Sequence, residues 1–455
     1  VAIRFFCSRK KREQMIEDES KEPLYEQNHE EEIDDSESKI AAKIDLERLF
    51  DLMSNKRYVM VIRELVLKEV EPEFLALSMG ITVLIGRYIG EKREDKIGRV
   101  IGGAICLFAV LSVIIAIFML VFAKGLANIM QAPKEAVDLT VQYVRICGGG
   151  IIFIIAYNVI SSIFRGMGNA KLPLIFVAIA CVTNIVGDLV FVAGFNMNVA
   201  GAALATVLAQ AVSVILSLII IRKQKLPFTM RREDICFTPE IKTFVILGAP
   251  IAFQEVLTQF SFLALCAFIN KLGIDASSGY GVANKIVSFI MLVPSSLMQS
   301  MSAFVAQNVG AGKEKRARQA MVTGMCIGAV IGIFIASFAF FRGDILASIF
   351  TNDAAVVEKA AGYLKGFAPE AVVTSVLFSF IGYFNGHGNT VFVMCQGIAQ
   401  TFLVRLPMSY FMSIRKNASL MHIGLAAPSA TVFGILINVT FFIIYINKQK
   451  KNVKI

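Results

Sequence analysis

Ten stretches of this chain are long enough and free enough of charge to cross a lipid bilayer, and they limit the fold more than any other feature. A helical span needs about 20 apolar residues. Backbone groups inside lipid must be hydrogen-bonded within their own segment, so each stretch is predicted to be a helix. Hydrophobic residues make up 56% of the sequence, too large a share to bury in one soluble core. The ten spans are 100–123, 146–164, 172–193, 200–221, 244–270, 280–305, 319–341, 366–384, 390–414 and 423–446.

The second half of the chain repeats the pattern of the first half about 220 residues later. Residues 164–169 (FRGMGN) return as 384–389 (FNGHGN), and 88–90 (YIG) as 308–310 (NVG). A duplicated unit of about 150 residues is far longer than a solenoid repeat of roughly 20 to 50 residues. The predicted fold class is therefore an all-α integral membrane protein with two pseudo-symmetric helical lobes. Residues 74–89 add a shorter candidate span, which makes about eleven transmembrane helices.

The repeat divides the chain into five predicted regions. They are an acidic amino-terminal arm (1–70), an amino-terminal transmembrane lobe (71–225), a cytoplasmic linker (226–242), a carboxy-terminal transmembrane lobe (243–447) and a basic cytoplasmic tail (448–455). The arm is expected to be disordered or to carry an amphipathic helix. The amino-terminal lobe is expected to be incomplete, because the counterpart of span 244–270 would fall in acidic residues 24–50, which cannot cross a membrane.

Basic residues gather in alternate loops between the predicted spans, and these loops are expected to face the cytoplasm by the positive-inside rule. The carboxy terminus is then cytoplasmic. A pI near 9.1 could also indicate nucleic-acid binding. The basic residues flank membrane spans without forming a stripe interleaved with aromatic residues, so no nucleic-acid partner is expected.

Several motifs of this chain closely resemble those of the multidrug and toxic compound extrusion (MATE) transporters. The resemblance covers residues 75–450 in order and implies two six-helix lobes that export cationic or amphipathic compounds in exchange for sodium ions or protons by alternating access. The first of the family's twelve helices is missing here or replaced. The resembling stretches are 165–169 (RGMGN), 184–188 (NIVGD), 201–206 (GAALAT), 248–250 (GAP), 293–300 (VPSSLMQS), 307–313 (QNVGAGK) and 384–389 (FNGHGN).

Asp188 interrupts an uncharged run from residue 172 to 221. A carboxylate at that depth costs at least roughly 2.5 kcal/mol unless it has a partner, and such residues are functional by default. Asn184 lies one helical turn earlier on the same face, and Thr206 supplies a hydroxyl from the next helix. Oxygen ligands suit a hard cation, and the resemblance implies a cation site at these three positions. The alternative is that Asp188 and Asn184 only bond neighbouring helices.

Glu255 is a second candidate and lies between Gln254 and Gln259 in the span that contains Pro250. Burial favours the neutral form of a carboxyl group, so Glu255 could exchange a proton and pair with a cationic drug when ionised. The three side chains are predicted to line a substrate cavity or couple protons. The alternative is a Glu255 that reaches the water interface. Pro250 and Pro294 are predicted to allow helix bending.

Other charged and titratable residues are expected to have structural roles. Arg405 lies deep in its span, and Glu370 or a group of carbonyls is its expected partner. His387 is expected to be a loop residue. No paired catalytic carboxylates, nucleophile elbow or Cys/His cluster with metal-ligand spacing is present in the sequence, so we expect no enzyme activity and no metal other than a sodium ion at Asp188.

The predicted function is therefore secondary active antiport of cationic or amphipathic drugs against sodium ions or protons, in the plasma membrane of a bacterium. The expected partners are the small-molecule substrate, the coupling ion and the lipid bilayer, with no cofactor and with the chain as a monomer. A lipid-linked oligosaccharide flippase is one alternative, although it would need a more cationic cavity. A truncated, transport-incompetent copy is another.

Overall fold

The structure, a computed structural model, describes residues 74–129, 137–223, 231–415 and 418–452. These residues are almost entirely helical and contain no strand. The helices are α1 (Phe74–Gly90), α2 (Glu94–Ile129), α3 (Val137–Gly166), α4 (Lys171–Asp188), α5 (Asn198–Lys223), α6 (Glu240–Asn270), α7 (Ile274–Gly310), α8 (Glu314–Ser348), α9 (Ala354–Gly386), α10 (Thr390–Ala399), α11 (Leu406–Ser413), α12 (Leu420–Gly424) and α13 (Ala426–Asn452). The predicted acidic arm lies outside the described residues.

Ten helical segments of the described chain are long and apolar enough to cross a membrane by length and composition. The segment of α4 runs on to Gly194, α10 and α11 form one segment, and α12 and α13 form another. α1 is a shorter apolar helix. Each stretch predicted from the sequence coincides with one of these segments, so the predicted all-α membrane fold with about eleven helices is confirmed. The predicted boundaries of the lobes stay a prediction.

Two π-helical segments interrupt the regular α-helical geometry. Leu189–Gly194 continues α4, and Gln400–Arg405 joins α10 to α11. They follow the helices that begin with the repeated turns at 164–169 and 384–389. π-helical turns are rare in proteins, and those that occur are often found at functional sites. Apolar periodicity alone does not indicate either segment.

The turns after α3 and α9 show that the sequence repeat is also a structural repeat. Gly168 has φ of 83° and Gly388 has φ of 82°. The amides of Asn169 and Asn389 each donate to the carbonyl oxygen five residues earlier at 2.9 Å. A glycine adopts this left-handed conformation without a Cβ penalty and commonly ends a helix. Both halves of the chain therefore end this helix in the same way.

The described chain forms two compact units. The smaller contains Ile114–Ile151 and Ala180–Val212, and the larger contains the remaining described residues. In the smaller unit, Gly150 of α3 lies where a Cβ would overlap the side chain of Val207 of α5, so these two helices approach closely.

Two large clusters of buried apolar residues in the larger unit lie on α6 to α13. One cluster includes the aromatic pair Tyr280 and Tyr363, whose ring centroids are 5.0 Å apart. The other contains Phe384, against which Phe392 and Phe441 pack as a stacked pair with centroids 3.7 Å apart. Large aromatic contacts of this kind hold α9, α10 and α13 together.

Two glycine contacts in the larger unit are related by the repeat. A Cβ on Gly90 would overlap the carbonyl oxygen of Gln307, and a Cβ on Gly310 would overlap the carbonyl oxygen of Arg87. Residues 87 and 307, like 90 and 310, are 220 positions apart. The same backbone contact is therefore made twice, once in each direction, between the ends of α1 and α7.

Candidate functional site

Asp188 is the last residue of α4, where the α-helix changes into the π-helical segment. Its side chain is half-buried. Asn184 lies one turn earlier on α4 and is 7% exposed, and Thr206 of α5 is 5% exposed. All three residues belong to the smaller unit. The sequence prediction that these positions share one region of the fold is therefore consistent with the structure.

A hydrogen bond joins two of the three predicted ligands. Asn184 Nδ2 donates to Thr206 Oγ1 at 3.4 Å, and the Thr206 hydroxyl donates to the carbonyl oxygen of Ala202 at 3.0 Å. Gly187 lies directly beside Ala205, since a Cβ on the glycine would be 2.9 Å from the alanine Cβ. This close approach brings α4 and α5 together at the level of the polar residues. The arrangement provides buried oxygen and amide groups one turn from a carboxylate.

The second predicted group lies on α6 in the larger unit. Gln254, Glu255 and Gln259 are all half-buried. Gln254 lies against Gly397 of α10, where a Cβ would overlap the amide nitrogen of Gln254. Its Oε1 is buried and has no hydrogen-bond partner among the described residues. The structure thus places Gln254 between α6 and α10, and the cavity role of all three side chains stays a prediction.

A buried polar strip in the larger unit was missed by the sequence analysis. On α13, Thr431, Gly434 and Asn438 lie on one helical face. Thr431 donates to Glu370 Oε1 of α9 at 2.8 Å. Gly434 faces the side chain of Gln400, which accepts a 2.7 Å hydrogen bond from Gln396. The strip therefore connects α9, α10 and α13 through polar groups in a membrane protein.

The strip also contains acceptor atoms without partners. Buried oxygens of Glu370, Gln396 and Asn438 have no hydrogen-bond partner among the described residues. The sequence carried a signal for this strip, because positions 431, 434 and 438 follow helical spacing in an apolar span. Gln396 and Gln400 are likewise one turn apart. Counting polar residues by helical face would have found both sets.

Arg405 lies against an aromatic ring that the sequence analysis did not name. Its guanidinium lies 4.1 Å from the ring centroid of Phe262, within cation-π range. No carboxylate of the described chain forms an ion pair with Arg405, so the expected pairing with Glu370 is not seen. The face of an aromatic ring on α6 stabilises this cation. A search of the sequence for opposite charges could not find such a partner.

Pro250 and Pro294 lie inside α6 and α7, respectively, as the sequence indicated. Pro294 is buried in the larger unit. Each proline removes one backbone donor from its helix. The bending role stays a prediction. Within the described ranges, no group of three or more His, Cys, Asp and Glu residues could hold a metal ion.

The sequence model of the MatE family matches residues 74–190 and 250–411, more than half of the chain. The "Probable multidrug resistance protein YoeA" of Bacillus subtilis is 26% identical over 287 residues, which cover 61% of this chain and 62% of the relative. "Multidrug export protein MepA" of Staphylococcus aureus (strain NCTC 8325 / PS 47) is 26% identical over 325 residues, 70% of this chain and 72% of the relative. The match thus spans less than two thirds of the length of YoeA.

Solved structures show the same fold. One, described as "Outward-facing conformation of a multidrug resistance MATE family transporter of the MOP superfamily", matches with a TM-score of 0.82 and 20% identity over 87% of this chain and 89% of that chain. Another, "Crystal structure of MATE in complex with MaL6", has a TM-score of 0.82 and 19% identity over 87% and 90% of the two chains. From its sequence motifs, its helical architecture and these matches, the chain belongs to the MatE family.

Proposed function

We propose that this protein is a secondary active exporter of cationic or amphipathic small molecules, driven by sodium ions or protons through alternating access. The observation that carries the proposal is the half-buried Asp188 in a membrane helix, one turn from the Asn184–Thr206 hydrogen bond. The names of the relatives YoeA and MepA, which refer to multidrug resistance and multidrug export, support the substrate class.

The coupling ion binds at Asp188 in this proposal. A carboxylate, an amide oxygen and a hydroxyl are hard ligands that suit sodium, and a carboxylate at membrane depth suits a proton equally well. Neutralising Asp188 removes the cost of keeping a charged carboxylate away from water. Because the site can favour one conformation only through its differential affinity, ion binding must stabilise one of the two access states more than the other.

Glu255 is the second group in the proposed cycle. Its half-buried carboxylate on α6 attracts a cationic drug when ionised and releases it when neutralised. Its neighbours Gln254 and Gln259 supply uncharged hydrogen-bonding groups. In this proposal the ion and the drug bind at separate acidic groups. Each ligand then lowers the affinity for the other by favouring a different access state, and the two do not share one site.

The test compares Asp188→Asn with Asp138→Asn in drug-sensitive bacteria that export ethidium only through this protein. Asp138 is an exposed carboxylate in the first turn of α3, so its variant carries the same charge change outside the candidate site. We expect Asp188→Asn to lower efflux at least tenfold and Asp138→Asn to leave it unchanged. Purified protein in liposomes, given a sodium gradient or a proton gradient, identifies the coupling ion.

Full efflux by the Asp188→Asn variant would remove Asp188 from the coupling mechanism. Absence of ethidium efflux from correctly inserted wild-type protein would instead contradict the drug-export assignment and favour a flippase or a transport-incompetent chain. A sodium- or proton-stimulated efflux that only Asp188→Asn loses is the result that supports the proposal.

A further inference from the structure

Two neighbouring hollows lie at one end of α7 and α8 in the larger unit. Their volumes are about 580 Å³ and about 620 Å³, and both are lined by Gln319 and Thr323. Basic side chains line both hollows, and among the described residues no acidic side chain does. The basic residues are Arg165, Lys315, Arg316 and Arg318. We name the first hollow the basic groove; its main walls are Arg165, Leu297, Met301, Phe304 and Arg316.

Arg165 supplies a partly buried positive charge to the basic groove. It lies in the last turn of α3, and one guanidinium nitrogen donates to the hydroxyl of Ser162 at 2.9 Å. Its Nε is buried and has no hydrogen-bond partner in the described chain. No described carboxylate forms an ion pair with it. A desolvated guanidinium without a counter-charge is unfavourable, so an anion in the groove would stabilise this region.

Arg316 adds an exposed guanidinium at the start of α8. It lies over the ring of Phe304, 5.6 Å from the centroid, and has no ion-pair partner among the described carboxylates. Stacking on an aromatic ring leaves the planar set of N–H donors available at the edge of the guanidinium. That geometry matches the paired oxygens of a phosphate group.

The groove becomes apolar away from the arginines. Leu297 and Met301 lie on α7 up to two turns before Phe304, and Ala320 and Gly324 lie on the facing side of α8. Leu297 is separated from Phe304 by seven residues, or about 10 Å along the helix. The cationic end coincides with the end of both membrane helices, and the apolar part extends toward their middle. This order of a charged end followed by an apolar part matches the headgroup and acyl chains of a phospholipid in one leaflet.

The equivalent end of the first half contains ion pairs that the basic groove does not have among the described residues. There Arg87 forms an ion pair with Glu91 at 3.0 Å, and Arg99 pairs with the buried Glu240 at 3.5 Å. The position equivalent to Arg165 is Asn385, a neutral residue. Lys96, at the position equivalent to Arg316, also lies over an aromatic ring, so Arg165 is the cation of the groove that has no counterpart in the repeat.

We propose that the basic groove binds an anionic phospholipid from the adjoining membrane leaflet. The phosphate lies between Arg165 and Arg316, and an acyl chain lies along Leu297, Met301 and Phe304. Basic pockets between transmembrane helices bind acidic lipid headgroups in this manner. The inference does not depend on the transport reaction, because it concerns lipid binding alone.

The experiment measures binding of short-chain phosphatidylglycerol and phosphatidylcholine to the full chain purified in detergent. We expect phosphatidylglycerol to bind at least tenfold more tightly than phosphatidylcholine. The double variant Arg165→Gln/Arg316→Gln should lose this preference. The matched control Arg222→Gln/Lys223→Gln loses the same charge at the exposed end of α5, outside both hollows, and should keep it.

Inorganic phosphate and glycerol phosphate are the competing probes. Both should displace phosphatidylglycerol only at concentrations at least tenfold higher, since neither can occupy the apolar part of the groove. Equal competition by inorganic phosphate would overturn the lipid assignment, and an unchanged lipid preference in the double variant would overturn the site. If the double variant does not fold, Arg316→Gln alone decides the question, because the exposed Arg316 can be changed without loss of core packing.

Discussion

Asp188 lies at a change of backbone geometry that gives this residue a special position in α4. The preceding turn, with Asn184, is α-helical, and the next six residues are π-helical. A π-helical turn shifts the side chains that follow it around the helix relative to those before it. Asn184 and Asp188 therefore share a face that the residues beyond Asp188 do not continue. This places the polar pair at the end of a regular helical face instead of within it.

The hydroxyl of Thr206 is expected to hold Asn184 in place for ion binding. Thr206→Val keeps the branched shape but removes the acceptor for Asn184 and the donor to Ala202. Of these two hydrogen bonds, the one to Asn184 orients the ion site, and its loss, about 1 kcal/mol, corresponds to roughly a fivefold loss of cation affinity. The measurement is the ion concentration that half-maximally stimulates ethidium efflux.

Thr440→Val is the matched control for this prediction. Thr440 is exposed on α13, and its hydroxyl also donates to the carbonyl four residues earlier. We expect its half-maximal ion concentration to equal that of the wild type. An equal shift in both variants would assign the effect to helix stability and not to the candidate site.

A contact between the His387 imidazole and the Glu314 carboxylate joins α8 to the turn after α9. His387 Nε2 lies 2.9 Å from Glu314 Oε1, and His387 Nδ1 lies 2.9 Å from the carbonyl oxygen of Tyr383. A carbonyl and an ionised carboxylate only accept hydrogen bonds. Both contacts of the imidazole are therefore hydrogen bonds when both ring nitrogens carry hydrogen. Gln449 of α13 donates to the same carboxylate at 3.5 Å. His387 is a turn residue, as expected from the sequence, but it connects three helices.

Glu314→Gln is predicted to destabilise the protein by about 1–3 kcal/mol, because it removes the charged partner of a histidine side chain that is only 2% exposed. Thermal unfolding in detergent measures the change. The control is Glu91→Gln, which breaks the more exposed Arg87–Glu91 pair of the first half and should cost less than about 1 kcal/mol. A larger loss in Glu91→Gln than in Glu314→Gln would contradict the proposed importance of the His387 contact.

At the scale of the whole molecule, the duplication determines how α1 and α7 meet within the larger unit. Gly90 contacts Gln307, and Gly310 contacts Arg87, so the two helix ends touch through backbone atoms. Backbone contact of this kind needs glycine on both sides, since any side chain would separate the helices. The sequence repeat 88–90 and 308–310 thus reflects one reciprocal contact between equivalent helix ends.

Gly90→Ala and Gly310→Ala should destabilise the protein by similar amounts, about 1–3 kcal/mol each, because each added methyl group overlaps a backbone carbonyl. Gly281→Ala is the control on α7, since a Cβ there meets no atom within 4 Å. It should be neutral or stabilising by up to about 1 kcal/mol. Thermal unfolding of the three variants measures this, and strongly unequal effects of the first two would contradict the reciprocal contact.

The sequence by itself determined the number, position and type of the membrane segments. Residues such as 200–221 contain no charge over a full span, and the bilayer then permits only a helix. It also determined the repeated turns at Gly168 and Gly388, because the left-handed conformation there favours glycine. Asp188 was identified as a candidate for the same local reason, since its charge stands out in an apolar span.

Only the tertiary structure decided which polar groups meet across helices. The contact of Gln254 with Gly397, the position of Arg405 over Phe262 and the pairing of Glu314 with His387 all join residues far apart in sequence. Local patterns in a membrane chain report burial in lipid, but neighbouring helices are chosen by close packing and by hydrogen bonds between them. The basic groove likewise arises where three helices meet, so no single stretch of sequence contains it.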